Sequence, residues 1–262
     1  MNRLLRHKSF QITIIILFIL SFFLILFSSL INIYQKRDLI FEFFKTNPQK
    51  TRVEKEKYSL AKDIVSNGGY ILFFRHAERE KWIDVTKYDS IEVLNNLKAE
   101  DEYFAKAVCL SDRGLIQAKA IGELIEKIKL PYHVVVSSPS CRARQTAELS
   151  FGGYNYIKNI FLHYGPYYED KKIMAKKVKK EILKIKLKEN SNIIISAHNG
   201  VVRTTDIYDK IEGDVDFSQI DKGFMNEGGF IVMKNDNGKL IFVDMFYTFH
   251  KFYQNFSIRP ED

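Results

Sequence analysis

Short apolar runs alternate along the chain with amphipathic helical patterns, and this alternation limits the possible fold more than any other sequence feature. The apolar runs at residues 70–74, 134–136 and 192–196 have the length of buried strands. Between them, residues 111–128 and 171–188 repeat apolar side chains at helical spacing. Helices that alternate with short strands usually cover both faces of a parallel sheet. We therefore predict an α/β fold with three layers, in which helices flank a mostly parallel central sheet.

Local signals predict further elements. Ser111 stands where an N-cap belongs, directly before the periodic helix. Residues 139–149 and 201–210 read as helices, and residues 230–246 read as a hairpin that turns around an Asn-Asp-Asn-Gly sequence. Residues 77–108 show no clear period, which predicts either a loop or a helical insertion.

The N-terminal region carries a long uncharged segment. No charged residue lies between Lys8 and Lys36, and residues 12–33 are almost wholly Ile, Leu and Phe. About 20 apolar residues in a helix cross the bilayer core. A cleaved signal peptide is the alternative, but its apolar region is usually shorter and ends at a small-residue cleavage site. We predict a retained transmembrane helix with a cytoplasmic N-terminus, because Arg3 and Arg6 precede the segment.

This segment divides the chain into three predicted regions. Residues 1–35 form the cytoplasmic tip and the anchor, residues 36–68 a helical stalk, and residues 69–262 the α/β domain. The domain would then lie outside the cytoplasm, as in a single-pass protein of a bacterial-type inner membrane. Cys109 and Cys141 are the only cysteines. In an oxidising compartment they could form a disulfide, although two free thiols are equally ordinary.

The charge distribution argues against a nucleic-acid partner. The formal net charge is +8, and nine lysines lie within residues 171–188. Their helical spacing against apolar residues favours the solvated face of an amphipathic helix, and no aromatic residues that could stack on bases are interleaved. The six histidines and two cysteines show no spacing typical of metal ligands, so we predict neither a metal nor another cofactor.

Polar residues follow the predicted strands at the point where each strand ends. Arg75 and His76 follow the first, Ser137 and Ser138 the second, and His198 the third. Each residue alone is more often structural than functional. In an α/β sheet, however, the carboxyl ends of parallel strands meet at one edge, where ligands bind. Arginine grips phosphate bidentately and a neutral imidazole is a competent nucleophile, so this set favours phosphoryl chemistry.

Four ordered motifs resemble the signature of the histidine phosphatase superfamily, whose fold is phosphoglycerate mutase-like. They read FFRHAE at residues 73–78, LSDRGLIQA at 110–118, SSPSCRARQTA at 137–147 and SAHNG at 196–200. The resemblance covers roughly residues 69–246. The R-H-A-E-R beginning is similar to that of envelope members such as lipopolysaccharide core heptose phosphate phosphatase. The mutase-like members carry an Asn a few residues later, which this sequence lacks.

The resemblance implies roles for individual residues. His76 would attack phosphorus and form a phosphohistidine, while Arg75, Arg142 and His198 would hold the phosphoryl oxygens; His198 thus takes part in catalysis as well as in binding. Arg144 is a second candidate for the motif arginine.

A leaving alkoxide also needs a proton donor. Glu169 stands in the loop where mutase-like members carry their acid. Glu78, two residues from the nucleophile, is the alternative, and a site without a dedicated acid is a third possibility.

The function implied by the resemblance is a membrane-anchored phosphomonoesterase of the histidine acid phosphatase type. It would act through a phosphohistidine on a phosphorylated small molecule, such as a sugar phosphate, or on an envelope-linked phosphate such as a glycolipid. A phosphohistidine protein phosphatase in signalling is one alternative. A non-catalytic phosphate-binding module is another, although the nucleophile and the predicted phosphate ligands are all present.

Overall fold

The computed structural model describes residues 48–81, 85–94, 96–101, 104–162, 170–213 and 225–258. The chain divides into two compact units, Met1–Val53 and Glu54–Asp262. The predicted anchor, residues 12–33, lies outside the described residues. None of the described helices is both long enough and apolar enough to cross a membrane.

Helices and strands alternate through the second unit. The described α-helices are α1 (Pro48–Ser66), α2 (Val85–Leu94), α3 (Ala105–Val108), α4 (Asp112–Ile128), α5 (Cys141–Phe151), α6 (Lys171–Leu183), α7 (Asn199–Val202) and α8 (Phe249–Ser257). The strands are β1 (Ile71–Arg75), β2 (Tyr132–Ser137), β3 (Tyr156–Ile157), β4 (Asn192–Ala197), β5 (Lys210–Ile211), β6 (Phe230–Asp236) and β7 (Lys239–Phe246). Short 3₁₀ turns lie at Ala99–Asp101, Asn159–Phe161 and Thr205–Ile207.

The strands form one mixed sheet in the order β3-β2-β4-β1-β6-β7-β5. Strands β3, β2, β4 and β1 are parallel, β6 is antiparallel to both β1 and β7, and β5 is parallel to β7. Thus β6 alone runs against the others, and the predicted α/β fold with a flanked, largely parallel sheet is confirmed. The register pairs Arg75 with Ala197 and Ser137 with Ser196, so the ends of the three central strands lie side by side.

The period of two along β1 divides its side chains between two cores. Phe73 faces one core, which α6 covers with its buried apolar side chains. Leu72 and Phe74 face the other, which α1, α4 and α8 cover. Apolar side chains therefore cover both faces of the sheet. The polar residues that follow the strands are confined to the sheet edge.

The second half of α1 packs as part of the compact unit. Ala61 and Ile64 are fully buried in the second core, and the Asn192 side-chain amide donates to the carbonyl of Ile64 at 2.9 Å. The unit accordingly begins at Glu54, and it includes residues 54–68 of the region that the sequence assigned to a stalk. The helix ends before Gly68, where an added Cβ would lie 2.5 Å from the Ser191 nitrogen.

Residues 79–108, the inserted segment, contain helices in their described part. Helices α2 and α3 and the 3₁₀ turn between them surround a small core of their own, formed by Ala99, Phe104, Ala107, Val108, Cys109 and Cys141. Cys109 and Cys141 form a disulfide across a sequence separation of 32. This bond joins the residue after α3 to the first residue of α5.

The prediction of a helix over residues 201–210 was wrong. Helix α7 ends at Val202, and the Thr204 hydroxyl accepts a hydrogen bond from the Asp206 N–H at the start of a 3₁₀ turn. Such local bonds from a threonine side chain compete with the helical pattern. Lys210 and Ile211 then join the sheet beside β7.

Candidate active site

His76 follows β1 directly and is 5% exposed. Its Nδ1 lies 2.7 Å from the Ala77 carbonyl oxygen. A carbonyl oxygen only accepts, so Nδ1 carries the proton and Nε2 keeps its lone pair. Burial, followed by the positive charge of Arg142, lowers the pKa of His76 well below its ordinary value. The ring is therefore a neutral imidazole at neutral pH, with a nucleophilic Nε2.

His198 follows β4 and lies beside His76, with 5.3 Å between the ring centroids. Its Nδ1 is 3.3 Å from Nη2 of Arg142, and its Nε2 is 3.0 Å from the Ser138 hydroxyl and 3.2 Å from that of Ser140. Since a guanidinium only donates, Nδ1 of His198 accepts and the proton sits on Nε2. The structure thus brings together the two histidines that the sequence singled out.

Arg142 lies in the first turn of α5 with its side chain 1% exposed. Its Nη1 and Nη2 donate to the two carboxylate oxygens of Asp89 at 2.6 and 2.8 Å, and Nη1 also reaches the Val108 carbonyl at 3.3 Å. Its Nε is buried and has no hydrogen-bond partner among the described residues. One edge of the guanidinium therefore holds a carboxylate. The other edge, Nε and Nη2, faces the His198 side of the site.

Two further arginines lie near this edge of the sheet. Arg75, the last residue of β1, donates to the Met225 carbonyl at 2.6 Å and pairs with Glu227. Arg79 is half-buried, and burial together with Arg142 lowers its pKa to about 10. Arg79 is thus a third arginine near the site, beyond the two that the sequence predicted.

Arg144, the alternative motif arginine, serves the structure rather than the site. Its guanidinium pairs with Glu92 at 2.6 Å and with Glu100 at 3.0 Å, and its Nε donates to the Pro139 carbonyl. The second carboxylate oxygen of Glu92 accepts the Cys141 N–H at 2.9 Å. Burial raises the pKa of Glu92 to about 7, although both hydrogen bonds oppose this shift. Arg144 thus ties the inserted segment to α5.

The predicted proton donors have different outcomes. Glu169 lies outside the described residues, and its neighbour Asp170 caps α6 by accepting the N–H groups of Lys172 and Ile173. The Glu78 carboxylate pairs with the exposed Arg113. The Glu78 carboxylate therefore binds Arg113 and neither of the two histidines.

Motif residues that have no role in chemistry hold the strand-end loops in place. The Gln117 side chain accepts the Glu78 N–H and donates to the Glu227 carbonyl, both at 2.8 Å. The Thr146 hydroxyl accepts the Ala77 N–H at 2.9 Å and donates to the Arg142 carbonyl at 2.7 Å. These bonds connect the loop of the nucleophile to both neighbouring segments.

Sequence reasoning missed Asp89 and Glu227, the carboxylates that face the arginines. Asp89 belongs to the segment without a clear period. One signal was available: Asp89 and Glu92 are three residues apart in a run with Ile91, Val93 and Leu94, which puts two acids on one face of a helix. Glu227 has no comparable local signal, because its partner Arg75 lies 152 residues away.

Comparison with known proteins supports the resemblance to the histidine phosphatase superfamily. Residues 71–161 match the family model of the histidine phosphatase superfamily (branch 1). This segment includes Arg75, His76 and Arg142. On this match, residues 71–161 carry the sequence pattern of the histidine phosphatase superfamily. No curated protein matches the chain.

Several solved structures are similar to this chain at low identity. The open reading frame Rv3214 from Mycobacterium tuberculosis is 15% identical, with a TM-score of 0.44, over 69% of this chain and 98% of its own. An alpha-ribazole phosphatase from Shigella flexneri is 12% identical, with a TM-score of 0.43, over 69% and 96%. A phosphoserine phosphatase from Entamoeba histolytica, solved with 3-phosphoglyceric acid, is 13% identical, with a TM-score of 0.41, over 67% and 95%.

Proposed function

We propose that this chain is a phosphomonoesterase of the histidine acid phosphatase type that acts through a phosphohistidine on His76. The observation that carries the proposal is the hydrogen bond from Nδ1 of His76 to the Ala77 carbonyl, which leaves Nε2 unprotonated beside buried cationic groups. A neutral imidazole with a fixed tautomer is a ready nucleophile. Arg75, Arg142 and His198 would bind the phosphoryl oxygens.

In the proposed first step, Nε2 of His76 forms a bond to phosphorus while the bond between phosphorus and the ester oxygen breaks. The arginines offset the charge on the equatorial oxygens in the transition state. Glu169 protonates the departing alkoxide. In the second step, water attacks the phosphohistidine and gives its proton to the same carboxylate, which releases phosphate and the imidazole.

His198 must change its protonation for this role. In the structure its Nδ1 accepts from Arg142, so Nδ1 can donate to a phosphoryl oxygen only after it gains a proton. The hydroxyl groups of Ser138 and Ser140 can accept from Nε2 of His198 at the same time. We propose that the bound phosphoryl group and His198 share this proton, which makes the imidazolium a charged ligand.

We also propose that the substrate belongs to the cell envelope, either a sugar phosphate or the phosphate of a glycolipid. Residues 12–33 would anchor the chain in the membrane as a single span, with the domain outside the cytoplasm. The disulfide between Cys109 and Cys141 supports this location, because disulfides persist in oxidising compartments. The R-H-A-E-R beginning shared with envelope members points to the same class of substrate.

The test is turnover by the full-length chain in detergent and EDTA, with a generic phosphomonoester and a panel of sugar phosphates. We expect turnover, an alkali-stable phosphoprotein after rapid quenching, and the loss of both in His76→Ala. His250→Ala is the matched control, because His250 is exposed on α8. Turnover that survives in His76→Ala would exclude the mechanism.

Removal of the proton donor distinguishes the substrate classes. When the substrate is a phosphohistidine, its imidazole leaves phosphorus with little help from an acid. An alkoxide leaving group, in contrast, needs a proton. Glu169→Gln should therefore slow the phosphorylation of His76 by a phosphomonoester, measured in a single turnover, and leave its phosphorylation by a phosphohistidine peptide nearly unchanged. Faster turnover of the peptide than of every phosphomonoester by the wild type would favour a phosphohistidine phosphatase instead.

A further inference from the structure

We propose that Asp89 is a positioning residue, which holds Arg142 so that its Nε–Nη2 edge receives the phosphoryl group. The inference rests on the proposed function and deepens it. The inserted segment supplies Asp89 from α2, and the sequence assigned this segment no role. Asp89 acts through Arg142 and forms no bond to the substrate.

The contact between Asp89 and Arg142 fixes the plane of the guanidinium. Two nearly parallel hydrogen bonds of 2.6 and 2.8 Å join the end of Arg142 to both carboxylate oxygens, and each side chain is 1% exposed. Bidentate pairs of this kind are the most directional ion pairs in proteins. The Val108 carbonyl takes a further contact from Nη1. Rotation of the guanidinium about its long axis would break all of these bonds.

The same contact leaves the Nε–Nη2 edge of Arg142 outside the ion pair with Asp89. Nε is buried without a hydrogen-bond partner among the described residues, and Nη2 faces Nδ1 of His198 at 3.3 Å. A guanidinium carries its donors in a rigid fork, so Nε and Nη2 can grip two oxygens together. His198 lies beside the nucleophile His76. A phosphoryl group on this edge is therefore within reach of both histidines.

Asp89 also neutralises the charge of Arg142. A buried arginine that keeps its carboxylate partner offers directed donors but little net charge. Arg75 is balanced in the same way by Glu227. Weak ground-state attraction for phosphate with well-aimed donors favours catalysis, because binding that is equal for the ground state and the transition state does not raise kcat. Asp89 thus aims Arg142 and also keeps the product from binding too tightly.

The position of α2 is itself fixed at the first turn of α5. Glu92, one turn after Asp89, accepts the Cys141 N–H at 2.9 Å and pairs with Arg144 at 2.6 Å. The disulfide joins Cys141 to Cys109 at the other end of the inserted segment. Asp89 therefore approaches Arg142 from a helix that is held on the same turn as its target.

The experiment compares Asp89→Asn with the wild type in the full-length chain, with inorganic phosphate as the binding probe. The neutral amide leaves the charge of Arg142 unbalanced, so the Kd for phosphate should fall by about tenfold or more. The lost acceptor lets the guanidinium rotate, so kcat should fall by about 100-fold. Titration calorimetry gives the Kd, and a generic phosphomonoester gives kcat.

Glu92→Gln is the matched control, since it also neutralises a buried acid on α2 but one that faces Arg144. We expect it to lower the melting temperature and to leave the Kd within about twofold. Asp89→Glu is the second variant. It keeps the buried pair charged and so protects folding, but it displaces the guanidinium; kcat should fall while the Kd stays near that of the wild type.

Two results would overturn the inference. A higher kcat in Asp89→Asn would show that Asp89 blocks Arg142 rather than aims it. Values of kcat and Kd within the range of Glu92→Gln would show a purely structural acid. A wild type that neither binds phosphate nor turns over any ester would instead reject the proposed function, on which the inference depends.

Discussion

At the scale of single residues, local hydrogen bonds decide which atoms of the site are reactive. The carbonyl of Ala77 fixes the tautomer of His76, and the guanidinium of Arg142 fixes that of His198. Motif spacing predicted both histidines, but it could not predict their protonation. The tautomers depend on a main-chain carbonyl and on an arginine 56 residues from His198.

The pKa of His76 predicts the acid limit of activity. Burial and then Arg142 lower this pKa well below 6.5, and protonation would remove the lone pair of Nε2. We expect the acid limb of kcat/KM to lie below pH 6.5, so activity persists where an exposed imidazole is already cationic. The measurement is the profile of kcat/KM from about pH 4 to about pH 9. An acid limb above pH 6.5 would contradict the neutral, buried nucleophile.

The same shift has a consequence for stability. Because the pKa of His76 is lower in the folded state, the unfolded state binds a proton more readily. This contribution to stability is complete above pH 6.5 and is lost as the pH falls from there toward the folded-state pKa. Denaturation of His76→Gln beside the wild type should show a smaller loss of stability over that range.

At the scale of helices and strands, local patterns predicted the elements whose signals are local. The helix after Ser111 begins as predicted, with the Ser111 hydroxyl accepting the Gly114 N–H, and its apolar stripe is buried. The terminal hairpin also formed, with positive φ angles at Asn237 and Gly238 that suit a two-residue turn.

Elements defined by distant partners were harder to predict. Helix α2 carries Asp89 and Glu92, whose partners lie 53 and 52 residues further along the chain. The three-residue spacing of the two acids puts them on one helix face, but the local sequence does not identify their arginine partners. The short strand β5 depends in the same way on β7, and local sequence favoured a helix there.

The disulfide between Cys109 and Cys141 should contribute substantially to the free energy of unfolding. A crosslink between residues 32 apart removes chain entropy from the unfolded state worth about 3–4 kcal/mol. Cys109→Ser combined with Cys141→Ser should therefore lower the free energy of unfolding by about that amount. Urea unfolding with and without reductant measures it, and reductant should not destabilise the double variant. Two reactive thiols in protein taken from its native compartment would contradict the bond.

At the scale of the whole molecule, the chain combines a compact α/β unit with an N-terminal region of different composition. The compact unit Glu54–Asp262 has two dry cores and holds all the described residues of the site. Residues 171–188 contain nine lysines and one glutamate, so this segment alone accounts for the net charge of +8. The rest of the chain is therefore close to neutral.

Deletion of residues 1–35 tests the proposed anchor. A span of about 20 apolar residues binds a bilayer nearly irreversibly, so the full-length chain should sediment with membranes and resist extraction by salt and by alkaline carbonate. The deleted chain should remain in the supernatant. Because the catalytic residues all lie beyond residue 54, its kcat on a soluble phosphomonoester should stay within about twofold of the full-length value.

The full-length chain and the chain without residues 1–35 should differ in the rate at which they hydrolyse a phosphate group embedded in a membrane. The anchor confines enzyme and substrate to one surface and so raises their effective concentration, typically to the millimolar range for a short linker. We therefore expect the full-length chain to hydrolyse a phosphorylated glycolipid in vesicles at least about tenfold faster than the deleted chain, with equal rates once detergent disperses the lipid. Equal rates in intact vesicles would remove the reason for an anchor and would favour a freely diffusing substrate.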